Sequence, residues 1–159
     1  MLYLVQLAAT LVLVSIAAQD LRERRVSNRA VLAFAMLYLV AAALVHERLA
    51  PLAGHVAIAA AMLVVFGGLR HAGWLGGGDV KLAAAVFLWA GPTLALPVLT
   101  IVGASGAACG LATLAAVARQ RRIAPAHTMA TRGVPYGIAL ALGGVLAVWA
   151  PFPHALSLT

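Results

Sequence analysis

The sequence runs to 159 residues, 64% of them hydrophobic and only 9% charged, with a mean hydropathy of +1.03. An ordinary soluble domain is about a quarter charged, so these values exclude one and indicate a single membrane-embedded domain over residues 1–159. The net charge of +7 does not indicate a nucleic-acid partner, because the basic residues gather in short segments between apolar runs, as topology signals do.

Met1 to Gln19 is apolar and uncharged, long enough to span a bilayer. No Lys or Arg precedes it and a basic cluster follows, the reverse of a secretory signal. It is expected to be an uncleaved helix with its N-terminus outside. Asp20 to Arg29 carries Arg22, Arg24, Arg25 and Arg29 and is expected on the cytoplasmic side, with Ser27 or Asn28 capping the next helix. Ala30 to Val45 is the second span. His46, Glu47 and Arg48 form a brief, solvated outer turn, and Pro51 to Leu69 is the third span, with Pro51 suited to a first helical turn.

Arg70 to Lys81 follows, reading RHAGWLGGGDVK, with both basic ends on the cytoplasmic side. Gly76, Gly77 and Gly78 remove side-chain bulk before Asp79, allowing unusual backbone angles and close approach of another segment. Trp74 suits an interfacial anchor. Leu82 to Ala118 is uncharged over 37 residues. One tilted helix needs at most about 25 residues and two short spans about 34. Gly91-Pro92 and Pro97 are breaks to consider. Parity decides for two spans, because Arg119, Arg121, Arg122 and Arg132 place the next loop on the cytoplasmic side again. Gly103, Gly106, Ala107 and Gly110 are spaced for close helix packing, and Cys109 among them reads as a small packing residue. Val134 to Ala150 is the last span. The expected fold is therefore all-α and polytopic: six transmembrane helices, both termini outside, and ten of the 11 Lys and Arg residues on the cytoplasmic side.

Four acids carry the remaining chemistry. Glu47 belongs to the outer turn, and Glu23 lies among arginines as a solvated ion pair. Asp20 ends the first helix and Asp79 opens the fourth, at one depth and on one side. Two close carboxylates do not both ionise cheaply, so one keeps its proton. The ionised member then takes a proton from water and the protonated one donates to a carbonyl oxygen. A purely structural reading has Asp79 cap its helix and Asp20 pair with an arginine. His55 and His71 lack a second ligand at metal-binding spacing, so no metal and no cofactor is expected. A snorkelling role for Lys81 competes with a substrate or tuning contact.

The run Leu75-Gly76-Gly77-Gly78-Asp79-Val80-Lys81-Leu82 resembles the G-x-G-D motif of membrane aspartic peptidases, above all that of type IV prepilin leader peptidases. Asp20-Leu21-Arg22-Glu23-Arg24-Arg25-Val26-Ser27-Asn28 resembles their first aspartate motif, with Ser27 where Pro is expected. Val134-Pro135-Tyr136-Gly137 resembles the segment opening their last helix. The resemblance implies a bacterial inner-membrane aspartic endopeptidase. Asp20 and Asp79 would be the catalytic pair, supported by Gly76 to Gly78. Its substrate would be a prepilin or pseudopilin, cleaved of its basic leader at the cytoplasmic face. It further implies the short form, similar to peptidases of tight-adherence pilus systems, without the cysteine pairs and N-methylation of larger members. A small proton-coupled transporter and a non-enzymatic membrane assembly subunit are the alternatives, but a transporter places polar groups near mid-membrane, whereas these acids lie at the edge. Reporter fusions after Arg25, Gly77 and Arg122 should all report cytoplasm and one at Thr159 the outside; a cytoplasmic Thr159 would undo the parity argument.

Overall fold

The computed structural model describes residues 1–23, 25–123 and 136–150. Among them are five helices and no strand: α1 Leu2–Glu23, α2 Asn28–Leu44, α3 Leu49–His71, α4 Gly77–Ile123 and α5 Tyr136–Trp149. Runs rich in Ala, Leu and Met favour helix, and a chain in lipid must satisfy its backbone internally. α1, α3 and the stretch Gly77–Ala116 of α4 are long and apolar enough to cross a membrane, and α2 and α5 are shorter apolar helices. Arg24, residues 124–135 with Arg132, Val134 and Pro135, and the expected outer C-terminus lie outside the described residues.

Where six helices were expected, five appear, because the two between Leu82 and Ala118 are joined in α4. The junction is Gly91, whose φ of 61° and ψ of −171° are not helical. That conformation is essentially open to glycine alone. Contacts with α5 show how far the chain turns there. A Cβ built at Gly144 would lie 3.2 Å from Val86, and one at Gly143 would lie 2.6 Å from Val102 and 3.3 Å from Val98. In a straight helix Val86 and Val102 would be about 24 Å apart. Meeting adjacent residues of α5 requires the chain to reverse at Gly91. Pro92 follows at the first position of the second half, where a missing N–H costs least. Pro97, the other expected break, lies inside the helix. Of the expected small-residue positions in the second half, Gly106 packs against Tyr136, whereas Gly103 has nothing within 4 Å of a Cβ built there.

α5 runs antiparallel to α1. Gly137 meets Asp20, Gly144 meets Leu13, and Gln6 Nε2 donates to the Val148 carbonyl at 2.9 Å. α4 packs on α2, α3 and α5, so it forms the centre of the bundle. The core between the ends is apolar, with Leu13, Phe34, Leu82, Phe87, Val98 and Leu140 fully buried.

The end away from Asp20 holds a polar cluster that the sequence reading did not anticipate. Pro92 has no N–H, so the Leu88 carbonyl loses its ordinary helical donor. His55 Nδ1 lies 2.8 Å from that oxygen and, facing an acceptor, must be the protonated nitrogen. The same ring lies against Gly91, where an added Cβ would come within 2.4 Å of it. Tyr38 stacks on His55 with ring centroids 5.2 Å apart and donates to Glu47 Oε2 at 3.2 Å. Glu47 Oε1 is 3.8 Å from His55 Nε2. Glu47 was read as solvated, yet its side chain is only 2% exposed, because the turn folds it inward onto these two partners.

Two substitutions test this reversal by thermal unfolding in detergent. His55→Ala leaves the Leu88 carbonyl buried and unpaired and should cost about 1–3 kcal/mol. Gly91→Ala adds both backbone strain and a clash with the ring, so it should be the more damaging of the two. Equal stability of Gly91→Ala and wild type would remove the requirement for glycine.

Candidate active site

The two acids meet at one end of the bundle. Asp20 lies in the last turn of α1 and is 5% exposed. A carboxylate there opposes the helix dipole, and burial strips its hydration, so it needs a partner. The first turn of α5 supplies one: the Gly137 N–H donates to Asp20 Oδ2 at 2.9 Å. First-turn N–H groups have no acceptor within their own helix, so the contact satisfies both sides. Among the described residues Asp20 has no arginine partner, and this backbone donor holds it instead. A Cβ at Gly137 would lie 2.7 Å from that oxygen and 2.8 Å from Asp20 Cβ, so no larger residue fits without moving Asp20.

Asp79 is the third residue of α4 and half-buried. The Gly76 N–H donates to its Oδ2 at 3.3 Å, so Asp79 caps the helix it stands in. Capping accounts for one oxygen only. The other, Oδ1, is out of solvent and has no hydrogen-bond partner among the described residues. Buried polar atoms are nearly always paired, and Asp20 lies near enough for its charge to act on Asp79.

Of the two roles expected of the glycine triplet, backbone freedom and close approach, only the second is used. None of Gly76, Gly77 and Gly78 has positive φ; that conformation falls instead on Gly73, at 80°. Gly77 and Gly78 are already helical. Their contribution is close approach. A Cβ at Gly78 would lie 2.7 Å from Val26 Cβ, and the Arg70 guanidinium occupies the place a side chain at Gly77 would take. The first turn of α4 therefore presses on the link between α1 and α2, bringing Asp79 to the side of Asp20.

Lys81 Nζ donates to Asn28 Oδ1 at 3.0 Å on the exposed surface. The cap expected from Ser27 or Asn28 is not formed in that way. Ser27 occupies the capping position without a side-chain hydrogen bond, and the Asn28 amide ties α2 to α4. Glu23, His71 and Trp74 are exposed, and His55 lies at the opposite end. Among the described residues no group of three or more His, Cys, Asp or Glu is placed to hold a metal. Two carboxylates from different helices thus lie at one end of the bundle, one of them with a buried oxygen that has no partner among the described residues. The sequence reading missed the supports of this site. In the sequence Arg70 carries only a topology signal, and Gly137 stands in a motif that gives it no role of its own. A glycine in the first turn of an apolar helix was the available signal for the latter.

A family model described as the type IV leader peptidase family matches residues 7–111. Both Asp20 and Asp79 fall within that stretch, and Gly137 lies beyond it. No curated protein and no solved structure matches the chain.

Two glycines in the helices that meet Tyr136 and Gly137 make a direct comparison. Gly137→Ala should displace the Asp20 carboxylate and cost about 1–3 kcal/mol, as overpacking does. Gly103→Ala meets open space and should be neutral or stabilising by up to about 1 kcal/mol. Thermal unfolding of both variants in detergent checks this; a harmless Gly137→Ala would mean that Asp20 is held by something else.

Proposed function

The chain belongs to the type IV leader peptidase family, and on that premise we propose that it is an aspartic endopeptidase. It removes the basic leader from prepilin-like substrates through an Asp20/Asp79 dyad. The observation that carries this reading is the buried, unpartnered Asp79 Oδ1 beside the charge of Asp20. A carboxylate retained only to cap α4 has no reason to leave that atom unpaired in reach of a second acid.

In the proposed reaction the dyad holds one proton. A water between the carboxylates gives a proton to the ionised member and attacks the scissile carbonyl carbon. The protonated member donates to the carbonyl oxygen as it gains charge. As the tetrahedral intermediate collapses, one of its hydroxyls returns a proton to the ionised acid while the C–N bond breaks and the leaving amine takes the proton of the other acid, so the pair again holds one proton. The Gly137 and Gly76 N–H groups hold one oxygen of each acid and so fix the orientation of the reacting ones. Substrate must reach the dyad in extended form, because a helical peptide bond is shielded by its own hydrogen bonding.

We further propose six membrane crossings, with both termini outside and the dyad at the cytoplasmic face of the inner membrane. Two observations support this. The reversal at Gly91 makes α4 two antiparallel segments. Arg22, Arg25, Arg29, Arg70 and Lys81 all accompany the dyad end in sequence, whereas Arg48 sits beside the Glu47 turn.

The test treats the acids as a unit. Asp20→Asn and Asp79→Asn should each reduce prepilin processing in membranes at least about a hundredfold. The double variant should be little worse than either, because groups acting as a unit are strongly non-additive. Glu23→Gln should process normally. Protein amount is checked by blot. Normal processing by either single Asn variant would falsify the dyad, and processing lost together with the protein would assign the acids to stability.

A further inference from the structure

The N–H that holds Asp20 belongs to the peptide unit between Tyr136 and Gly137. That unit is planar, so the direction of its N–H is set together with the Cα of Tyr136. Only two side-chain torsions separate that Cα from the Tyr136 ring. The ring reaches the second half of α4. A Cβ built at Gly106 would lie 2.7 Å from Tyr136 Cζ, 2.8 Å from its hydroxyl oxygen and 2.9 Å from Cε2. Close-packed interiors do not tolerate such approaches, so the ring tip occupies the place of a side chain at Gly106. Gly106 is buried, whereas Gly103, about one turn earlier, is exposed and has nothing within 4 Å of a Cβ built there. The notch is therefore specific to Tyr136 and not a general property of this glycine-rich stretch.

We propose that Tyr136 is a positioning residue of the dyad: its ring, seated at Gly106, fixes the peptide unit whose N–H orients Asp20. The proposal rests on the peptidase reading above. It gives a role in the reaction to the half of α4 beyond Gly91, which carries no acid. The contacts form one continuous path, from Gly106 through the Tyr136 ring and the Tyr136–Gly137 peptide to Asp20 Oδ2. α5 is thus gripped in its first two residues, by α4 through Tyr136 and by α1 through Asp20. Neither grip has room to slip, because a Cβ at Gly137 would meet Asp20 at 2.7 Å just as one at Gly106 meets the ring. Further along α5, Gly143 packs as tightly, with Val102 2.6 Å from a Cβ built there. That contact lies roughly 9 Å along the helix from Gly137 and touches no acid. With Oδ2 held, the other oxygen of Asp20 keeps one direction, and in the proposed reaction it is the one that exchanges a proton. A misplacement of about 1 Å costs up to about a hundredfold in rate. A ring displaced at Gly106 therefore acts on kcat without touching the reacting groups.

The experiment uses the full chain in membranes with a synthetic prepilin bearing its basic leader and its apolar helix. Gly106→Ala, Tyr136→Ala and Tyr136→Phe are compared with Gly143→Ala, which crowds the same pair of helices away from the acids. Rates are taken per folded enzyme, with the folded fraction measured by thermal unfolding in detergent. Gly106→Ala and Tyr136→Ala should lower kcat at least about tenfold, with KM within about twofold of wild type. Tyr136→Phe keeps the ring carbons in the notch and should process as wild type does. Gly143→Ala should lose stability with kcat little changed. A second readout needs no catalysis. Asp20→Ala and Gly106→Ala, on different helices, should lower Tm less together than the sum of their separate effects, because both release the Gly137 N–H from Asp20. Asp20→Ala and Gly143→Ala should simply add. Wild-type kcat in Gly106→Ala, or an equal fall in Gly143→Ala, overturns the proposal. So does lost processing by Tyr136→Phe, which assigns the effect to the hydroxyl; the dyad reading stands in each of these cases. Wild type that cleaves no prepilin instead ends the peptidase reading, and the positioning role with it.

Discussion

The structure depends on giving a buried carboxylate a partner. Asp20 stands at the wrong end of its helix for a negative charge, out of water, and its partner is the backbone of a helix at the other end of the chain. An uncompensated buried charge costs about 3–5 kcal/mol. The Asp20–Gly137 contact therefore constrains α5 to begin beside the end of α1. The antiparallel pairing follows residue by residue, with Gly144 on Leu13 and the Val148 carbonyl on Gln6. The dipole conflict of α1 is relieved by the first turn of α5, whose free N–H groups favour an acid. One contact thus solves two end problems.

The reversal at Gly91 is the complementary device. From the acid-bearing start of α4 the chain has to return to the same end before α5 begins, and between Leu82 and Ala118 it has no charged residue at which to turn. A glycine conformation followed by proline breaks the helix without leaving the apolar environment, at the cost of one orphaned carbonyl. His55 supplies the missing donor from α3, and Glu47 and Tyr38 hold the ring in place. The helix break is therefore stabilised by a neighbouring helix, as irregular backbone at membrane depth requires. It could not stand in isolation.

Most of the architecture was legible because its signals are one-dimensional. Apolar run length announces helices, and arginine position announces which ends belong together, so Asp20 and Asp79 could be placed at one end before any coordinates. The break between Leu82 and Ala118 was legible too, since Gly91-Pro92 is a local signal. What escaped was pairwise. The inward fold of Glu47 depends on Tyr38 and His55, which no spacing rule connects to it. The use of Asn28 to hold Lys81 rather than cap α2 depends on how α2 crosses α4. The glycine triplet announces both backbone freedom and close approach, and only its neighbours, Val26 on Gly78 and Arg70 on Gly77, show that the second is the one required. A sequence shows that a residue is small; only its neighbours show why.

The two ends of the bundle then differ in a way that bears on catalysis. At the far end the polar groups close on one another: His55 on Leu88, Tyr38 on Glu47, and Trp89 Nε1 on the Phe34 carbonyl at 3.0 Å. This network joins three helices, although Gln6 Oε1 at the same end is also buried without a partner among the described residues. At the acid end the bonding is deliberately thinner. Asp20 and Asp79 each have one oxygen held by a backbone N–H, and Asp79 Oδ1 has none. In the proposed reaction this site binds water and a peptide carbonyl, for which an acceptor left free by the fold is required. Natural chains depart from full local satisfaction at functional positions, and an acid with a free buried oxygen is such a departure where a bystander glutamine amide bonded on its other atom is a smaller one.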